Sequence, residues 1–288
     1  LNDINLWALG GTGIIAGLLG SMLGVGGGLI IVPVLTLAFG LPIHVAVGSS
    51  LVAIVANTCT AAGLYTKAGF TNVKLGLLLE TATIPGAIIG GFVAASISPS
   101  ILSALFGLLL IYVAYTMVAS NKLASEDIAI TSSASISSDK TDNNASASFM
   151  DSYHDYNLDK VITYRVKRIP FGLGFAFVAG ILSSLLGIGG GIIKVPVMHL
   201  VMGVPMKATI ATSSLMITLT AATGAFIYHY HGDLKPFVVA PLIIGIVIGS
   251  RVGVELTKRI QGLWLRRIFG VFLFVVAILM FLKTSNVI

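Results

Sequence analysis

Along the chain, hydrophobic positions gather into two long blocks separated by a polar stretch, and each block divides into five apolar segments. In the first block these cover about residues 6–23, 29–40, 43–66, 75–95 and 100–119. In the second they cover about 169–186, 192–203, 208–228, 236–254 and 263–282. The third to fifth segments of each block are long enough to cross a hydrocarbon core about 30 Å thick at about 1.5 Å per residue. The second segment of each block, about 12 residues, reaches only about 18 Å and is too short to cross. Joined at Gly-x-Gly-Gly-Gly, the first two segments predict a broken, re-entrant hairpin with its tip inside the membrane. Non-helical backbone at that depth is tolerated only where it is buried in protein or lines a polar cavity.

The two blocks are copies of one another. LGVGGGLIIVPVLTLAFGLP at residues 23–42 aligns with LGIGGGIIKVPVMHLVMGVP at residues 186–205, an offset of 163. One inserted residue later, Ser49-Ser50-Leu51 matches Ser213-Ser214-Leu215 at an offset of 164. The expected fold is therefore an all-α polytopic membrane protein of two repeats, residues 1–120 and 169–288, each a Gly-rich hairpin followed by three transmembrane helices. An odd number of crossings per repeat makes their topologies inverted. Between them, residues 121–168 form a polar linker containing SSASISSDKTDNNASAS. Up to residue 164 it lacks hydrophobic periodicity and predicts disorder, because it cannot bury enough apolar surface to offset its ordering entropy.

Composition sharpens the membrane reading. Hydrophobic residues make up 56% and charged residues 10%, against about 25% charged in a typical soluble domain; a soluble domain is excluded. Seven of the eleven acids lie between Asn121 and Tyr164, leaving Asp3, Glu80, Asp233 and Glu255 elsewhere. The net charge of +6 does not signal nucleic acid, since the basic residues flank apolar segments and form no stripe with interleaved aromatics. With both termini outside, Lys67, Lys74, Arg165, Lys167, Arg168, Lys258, Arg259, Arg266 and Arg267 all fall on the cytoplasmic side, and the linker with them. The first apolar segment has no basic flank and is read as structure, not as a cleaved signal. Cys59 is the one cysteine, so no internal disulfide forms.

Inverted repeats with paired helix breaks are the signature of a secondary transporter working by alternating access. The tips, Gly26-Gly27-Gly28 and Gly189-Gly190-Gly191, permit unusual backbone angles and close approach. The helices resuming at Leu29 and Ile192 aim N–H groups toward the midplane, which suits a small anion. Lys194, three positions past the second tip, replaces Ile31 of the first copy. A lysine there is costly unless it faces a cavity or a partner; it attracts the anion, snorkels toward the cytoplasm, or pairs with Glu80. Glu80 is itself a candidate for titrating and coupling transport to protons. Ser49, Ser50, Ser213 and Ser214, with Asn57 on the face of Ser50 and Thr220 on that of Ser213, can donate to an oxyanion or bind helices together. Gly86-x-x-x-Gly90 and Gly245-x-x-x-Gly249-x-x-x-Gly253 fit close helix packing.

The chain resembles the TauE/SafE family of membrane anion transporters, the sulfite exporter family. The resemblance rests on Gly24-Val25-Gly26-Gly27-Gly28 with Val32-Pro33, on Gly187-Ile188-Gly189-Gly190-Gly191 with Val195-Pro196, and on the paired Ser-Ser-Leu motifs. It implies movement of sulfite or an organosulfonate such as sulfoacetate across the cell membrane, usually outward. An anion importer, a channel, or a non-transporting scaffold or receptor subunit stands as the alternative. No nucleotide-binding loop is present, so an ion gradient, protons included, or the substrate's own gradient supplies the energy. No paired catalytic carboxylates, nucleophile elbow or zinc-ligand spacing occurs, so neither an enzyme nor a cofactor is expected.

Overall fold

The computed structural model describes residues 6–119, 150–155, 160–259 and 273–280. The first repeat comprises α1 (Leu6–Leu23), α2 (Gly28–Pro33), α3 (Ile43–Lys67), α4 (Val73–Ser96) and α5 (Pro99–Ala119). A β-hairpin follows, β1 (Met150–Asp155) and β2 (Lys160–Arg165). The second repeat comprises α6 (Ile169–Leu186), α7 (Gly191–Pro196), α8 (Met206–Tyr230) and α9 (Pro236–Arg259), with residues 273–280 helical beyond it. Most of the fifth segment of the second block lies outside the described residues, as do Arg266, Arg267 and residues 121–149 of the linker.

The short returning arms owe their shape to proline. Pro33 and Pro196 end α2 and α7, and each is followed by one π turn, Val34–Ala38 and Val197–Val201. A proline has no N–H to donate to the preceding turn, and the ladder continues with wider loops, such as Phe39 N–H to Val34 O and Met202 N–H to Val197 O. Pro42 and Pro205 then precede the two longest helices in extended geometry, setting where α3 and α8 begin.

Helices α3 and α8 run antiparallel through the centre. Gly48 lies against Tyr228 and Asp233, Thr218 donates to Thr58 at 2.9 Å, and the Asn72 amide donates to Thr212 at 3.0 Å. The start of each helix thus sits beside the end of the other, which is the inverted arrangement of the repeats. Each first helix packs on the fourth helix of the opposite repeat, α1 on α9 and α6 on α4. Those contacts are backbone to backbone: a methyl at Gly13 or Gly17 would lie 2.5 Å from the carbonyl of Leu242 or Ile246. Gly86 and Gly90 abut the carbonyls of Phe177 and Ile181, while Gly245 and Gly249 abut those of Gly10 and Ile14. The two glycine stripes expected to serve packing do so.

The hairpins return to the side from which they enter. Gly10 of α1 sits at Pro241, near the start of α9, and Gly48 of α3 sits at Asp233, just before that start. Among the described residues six helices are long and apolar enough to cross a membrane, and the arms Gly28–Ala38 and Gly191–Val201 are shorter. The outer faces of α4, α6 and α9 expose Ile88, Phe92, Phe175, Ile244 and Ile248, which suits lipid and not water. The protein is a multi-pass membrane protein of two inverted all-α repeats joined by a segment that carries the β-hairpin.

Two sequence readings change. The central helices correspond at an offset of 163 throughout, with no insertion, so Ser50 pairs with Ser213, Ser49 with Thr212, and Ser214 with Leu51. The apparent Ser-Ser-Leu match is displaced by one residue from the structural one. The second change is in the linker, where residues 150–155 and 160–165 pair as antiparallel strands with Tyr153 opposite Ile162. Tyr153, Ile162 and Tyr164 alternate inward and join Phe70, Leu75, Met202 and Val204 in one buried cluster. Tyr153 meets Phe70 edge to face, the Asn72 side-chain amide donates to the Tyr164 hydroxyl at 3.3 Å, and Lys167 N–H donates to Met202 O. Burial pushes the Tyr164 phenol above its ordinary range. Polar composition hid a strand pair whose apolar face is supplied by every second residue.

Candidate functional site

At the mid-length of α3 and α8 the two glycine tips meet. Gly26 and Gly189 both lie between Ile54 of α3 and Ile217 of α8. Gly27 and Gly190 hold φ of 89° and 72°, the left-handed region that an L side chain enters only with strain. A methyl at Gly28 would fall on the carbonyl oxygen of Gly187, and one at Gly191 would lie 2.5 Å from that of Gly24. Absence of a side chain is what lets the tips touch.

Central-helix side chains fasten the tips. Ser50 donates to Gly187 O at 2.7 Å, Ser213 to Gly24 O at 3.0 Å, and the Asn57 amide to Gly26 O at 2.9 Å. Ser214 instead donates to Ile210 O within its own helix at 2.8 Å. Ser49 is fully buried, and its hydroxyl has no hydrogen-bond partner among the described residues. The same holds for the Asn57 carbonyl oxygen.

One turn past the second tip stands a charged cluster. Lys194 N–H donates to Gly190 O at 3.1 Å, anchoring the residue to the tip itself. Its ammonium lies 2.8 Å from Glu80 Oε1 and 2.6 Å from Thr220 Oγ1. The Thr220 hydroxyl in turn lies 2.9 and 3.1 Å from the two Glu80 oxygens. Lys194 is 3% exposed, Glu80 2% and Thr220 not at all. A small cleft reaches Lys194 past Leu79, Phe175, Ala176, Val197, Met198 and Met216. Three helices from both repeats therefore contribute to one desolvated ion pair: Glu80 from α4, Lys194 from α7 and Thr220 from α8.

The cluster has no counterpart in the other repeat. At the same offset of 163, Lys194 corresponds to Ile31, Glu80 to Ile243 and Thr220 to Asn57. Ile31 is fully buried and Ile243 half-buried. One repeat builds this region from isoleucines, so the scaffold does not require charge there. An isolated ion pair in such surroundings is weak evidence for stability, since desolvation offsets much of the Coulomb attraction.

Residues 9–280 match the family described as Sulfite exporter TauE/SafE. The protein belongs to the TauE/SafE family. A probable membrane transporter protein of Bacillus subtilis, YunE, is 28% identical over 256 residues, covering 86% of this chain and 87% of that one. MJ0441 of Methanocaldococcus jannaschii, also named a probable membrane transporter protein, is 28% identical over 286 residues, with 94% and 93% covered. A probable membrane transporter protein of Haemophilus influenzae is 27% identical over 292 residues, with 94% and 96% covered. No solved structure matches. Family and fold together make the protein a polytopic membrane transporter of small anions.

Within this TauE/SafE protein, the residues singled out in the sequence separate into two groups. The glycines, Ser50, Ser213 and Asn57 hold the tips against each other. Lys194 and Glu80 come together 114 positions apart in the chain. Thr220 is the member that sequence reading undervalued, because its spacing from Ser213 marked it as a helix-facing residue like any other. Its signal was the replacement of Asn57 by a shorter hydroxyl in the same copy that gains Lys194. Among the described residues no group of three His, Cys, Asp or Glu is placed to hold a metal.

Proposed function

We propose that this protein moves a small sulfur-containing oxyanion, sulfite or an organosulfonate such as sulfoacetate, outward across the cell membrane by alternating access, with Lys194 as the cation that anchors it. The observation that carries this reading is a buried ammonium, paired with Glu80, in a position where the other repeat has an isoleucine. Ionisable groups at such depth are expensive and mark substrate paths. The family description supplies the sulfur oxyanion.

The anion's remaining shell is drawn from the tips. Rocking that parts them frees donors now engaged with backbone carbonyls, the hydroxyls of Ser50 and Ser213 and the Asn57 amide, to turn toward an oxyanion. Ser49, buried with a spare hydroxyl, and Ser214 stand within the same central helices, and Gly26–Gly28 and Gly189–Gly191 let backbone approach closely. The flanking basic residues support a cytoplasmic β-hairpin and linker with both termini outside. A flux assay in proteoliposomes over sulfite, sulfate, thiosulfate and sulfoacetate tests the reading. Sulfite or sulfoacetate movement by the wild type, lost in Lys194→Ala, is expected; equal flux by the variant, or no movement of any of the four, overturns it.

A further inference from the structure

In the described state Lys194 is not vacant. The Glu80 carboxylate already sits where an incoming oxyanion would bind, 2.8 Å from the ammonium, with the Thr220 hydroxyl serving both. Building on the transport reading above, we infer that Glu80 and the transported anion occupy Lys194 in turn, so that each monoanion crosses together with one proton carried on Glu80.

The reason is charge balance at depth. One ammonium facing two anions leaves a net negative charge in a desolvated site, which a low-dielectric interior penalises heavily. The anion enters at no net charge only if the Glu80 carboxylate takes up a proton as it leaves Lys194. Little else nearby can balance it. Helix α6 has no ionisable residue, and α8 has none from Ala208 to Ile227. On α4 the other charge is Lys74, at the helix start. On α3 His44 contacts Ala94 O and Tyr65 donates to Ser21 O, with Cys59 exposed and Lys67 at the far end. After α7, His199 contacts Val204 O through Nδ1. Lys194 is the ion-pair partner the structure gives Glu80.

Two site states are then neutral: the empty pair of ammonium and carboxylate, and the loaded set of ammonium, monoanion and protonated carboxyl. Both can change sides. The half-loaded states carry a net charge and are held back, which couples the two fluxes without any direct contact between proton and anion. Transport of a monoanion is electroneutral. Net efflux follows the anion's own outward gradient, is slowed by acid outside and hastened by alkali outside.

The test uses the full-length protein in proteoliposomes with radiolabelled sulfite. For the wild type, an acid-outside gradient drives uphill uptake, and clamping the membrane potential with valinomycin and potassium leaves the rate unchanged. Wild-type uptake that follows potential and ignores the pH gradient overturns the inference. Glu80→Gln, a fixed stand-in for the protonated carboxyl, loses gradient-driven accumulation at least tenfold more than it loses sulfite-for-sulfite exchange. Accumulation at the wild-type level by this variant, or a monodisperse variant without exchange, overturns it as well. A wild type that exchanges no sulfite overturns instead the transport reading on which it rests.

Discussion

Ser50, in the first repeat, donates its hydroxyl to the carbonyl of Gly187 in the second at 2.7 Å, and Ser213 returns the bond to Gly24 at 3.0 Å. Each central helix thereby holds the tip that belongs to the other repeat. The bonds are fully buried, so an unpaired carbonyl has no water to turn to. Ser50→Ala and Ser213→Ala should each lower stability by about 1 kcal/mol. The double variant should lose roughly the sum, read as the unfolding midpoint of the detergent-purified protein. Unchanged midpoints would show that the clamps contribute nothing.

Steric contact at the tips makes a sharper forecast. Gly28→Ala and Gly191→Ala place a methyl against the opposing backbone carbonyl, which cannot move aside as a flexible side chain would. Both should cost about 3 kcal/mol or more, with transport lost. Gly63→Ala, where nothing lies within 4 Å of the added methyl, should express and transport like wild type. Comparable yields for all three variants would argue against tip-to-tip packing.

Thr220 should act on transport through its hydroxyl. Thr220→Val keeps the shape and removes the hydroxyl shared by Lys194 and Glu80. Hydrogen bonds to charged groups are worth about 1.5–3 kcal/mol, so sulfite exchange should fall by about ten- to a hundredfold. Thr220→Ser, which keeps the oxygen, should stay within a few-fold of wild type. Similar exchange rates in the two variants would reduce Thr220 to packing.

The β-hairpin offers a readout of both topology and docking. Val161 points outward, so Val161→Cys in a Cys59→Ala background should react with a membrane-impermeant maleimide from the cytoplasmic side alone. Labelling from outside intact cells would reverse the orientation. Ile162→Asp buries a carboxylate under Phe70 and Met202 at a cost of several kcal/mol, enough to undock the strands. Trypsin should then cleave at Arg165 and Lys167 at least tenfold faster, with the helical fragments intact.

Much of this architecture is legible in the chain because duplication writes each feature twice. Gly26 with Gly189 and Pro33 with Pro196 announce the hairpins, and arms of about 12 residues exclude a full crossing. What composition concealed was the pairing of distant positions. Ser-Ser-Leu suggested the wrong register, since adjacent serines look alike in a string and differ on a helix by 100° of rotation. Lys194 and Glu80 were each visible as unusual, but whether they meet depends on how α4 crosses α7. Residues 150–165 looked disordered because Asp151, Asp155, Asp159, Lys160 and Arg165 interrupt their apolar side chains. The alternation of Ile162 and Tyr164 with Val161 and Thr163 was the available sign of a strand.

The resting of α1 on α9 and of α6 on α4 has a consequence for how the molecule is made. Until the second repeat is synthesised, the glycine faces of α1 and α4 lack the helices that cover them. The first half must wait, and the second arrives to partners already in place. Two polypeptides cut within residues 121–149 and produced together retain every interface described here, whereas either alone lacks the mate of each of its glycine-striped helices. The glycine faces are what bring the two halves together.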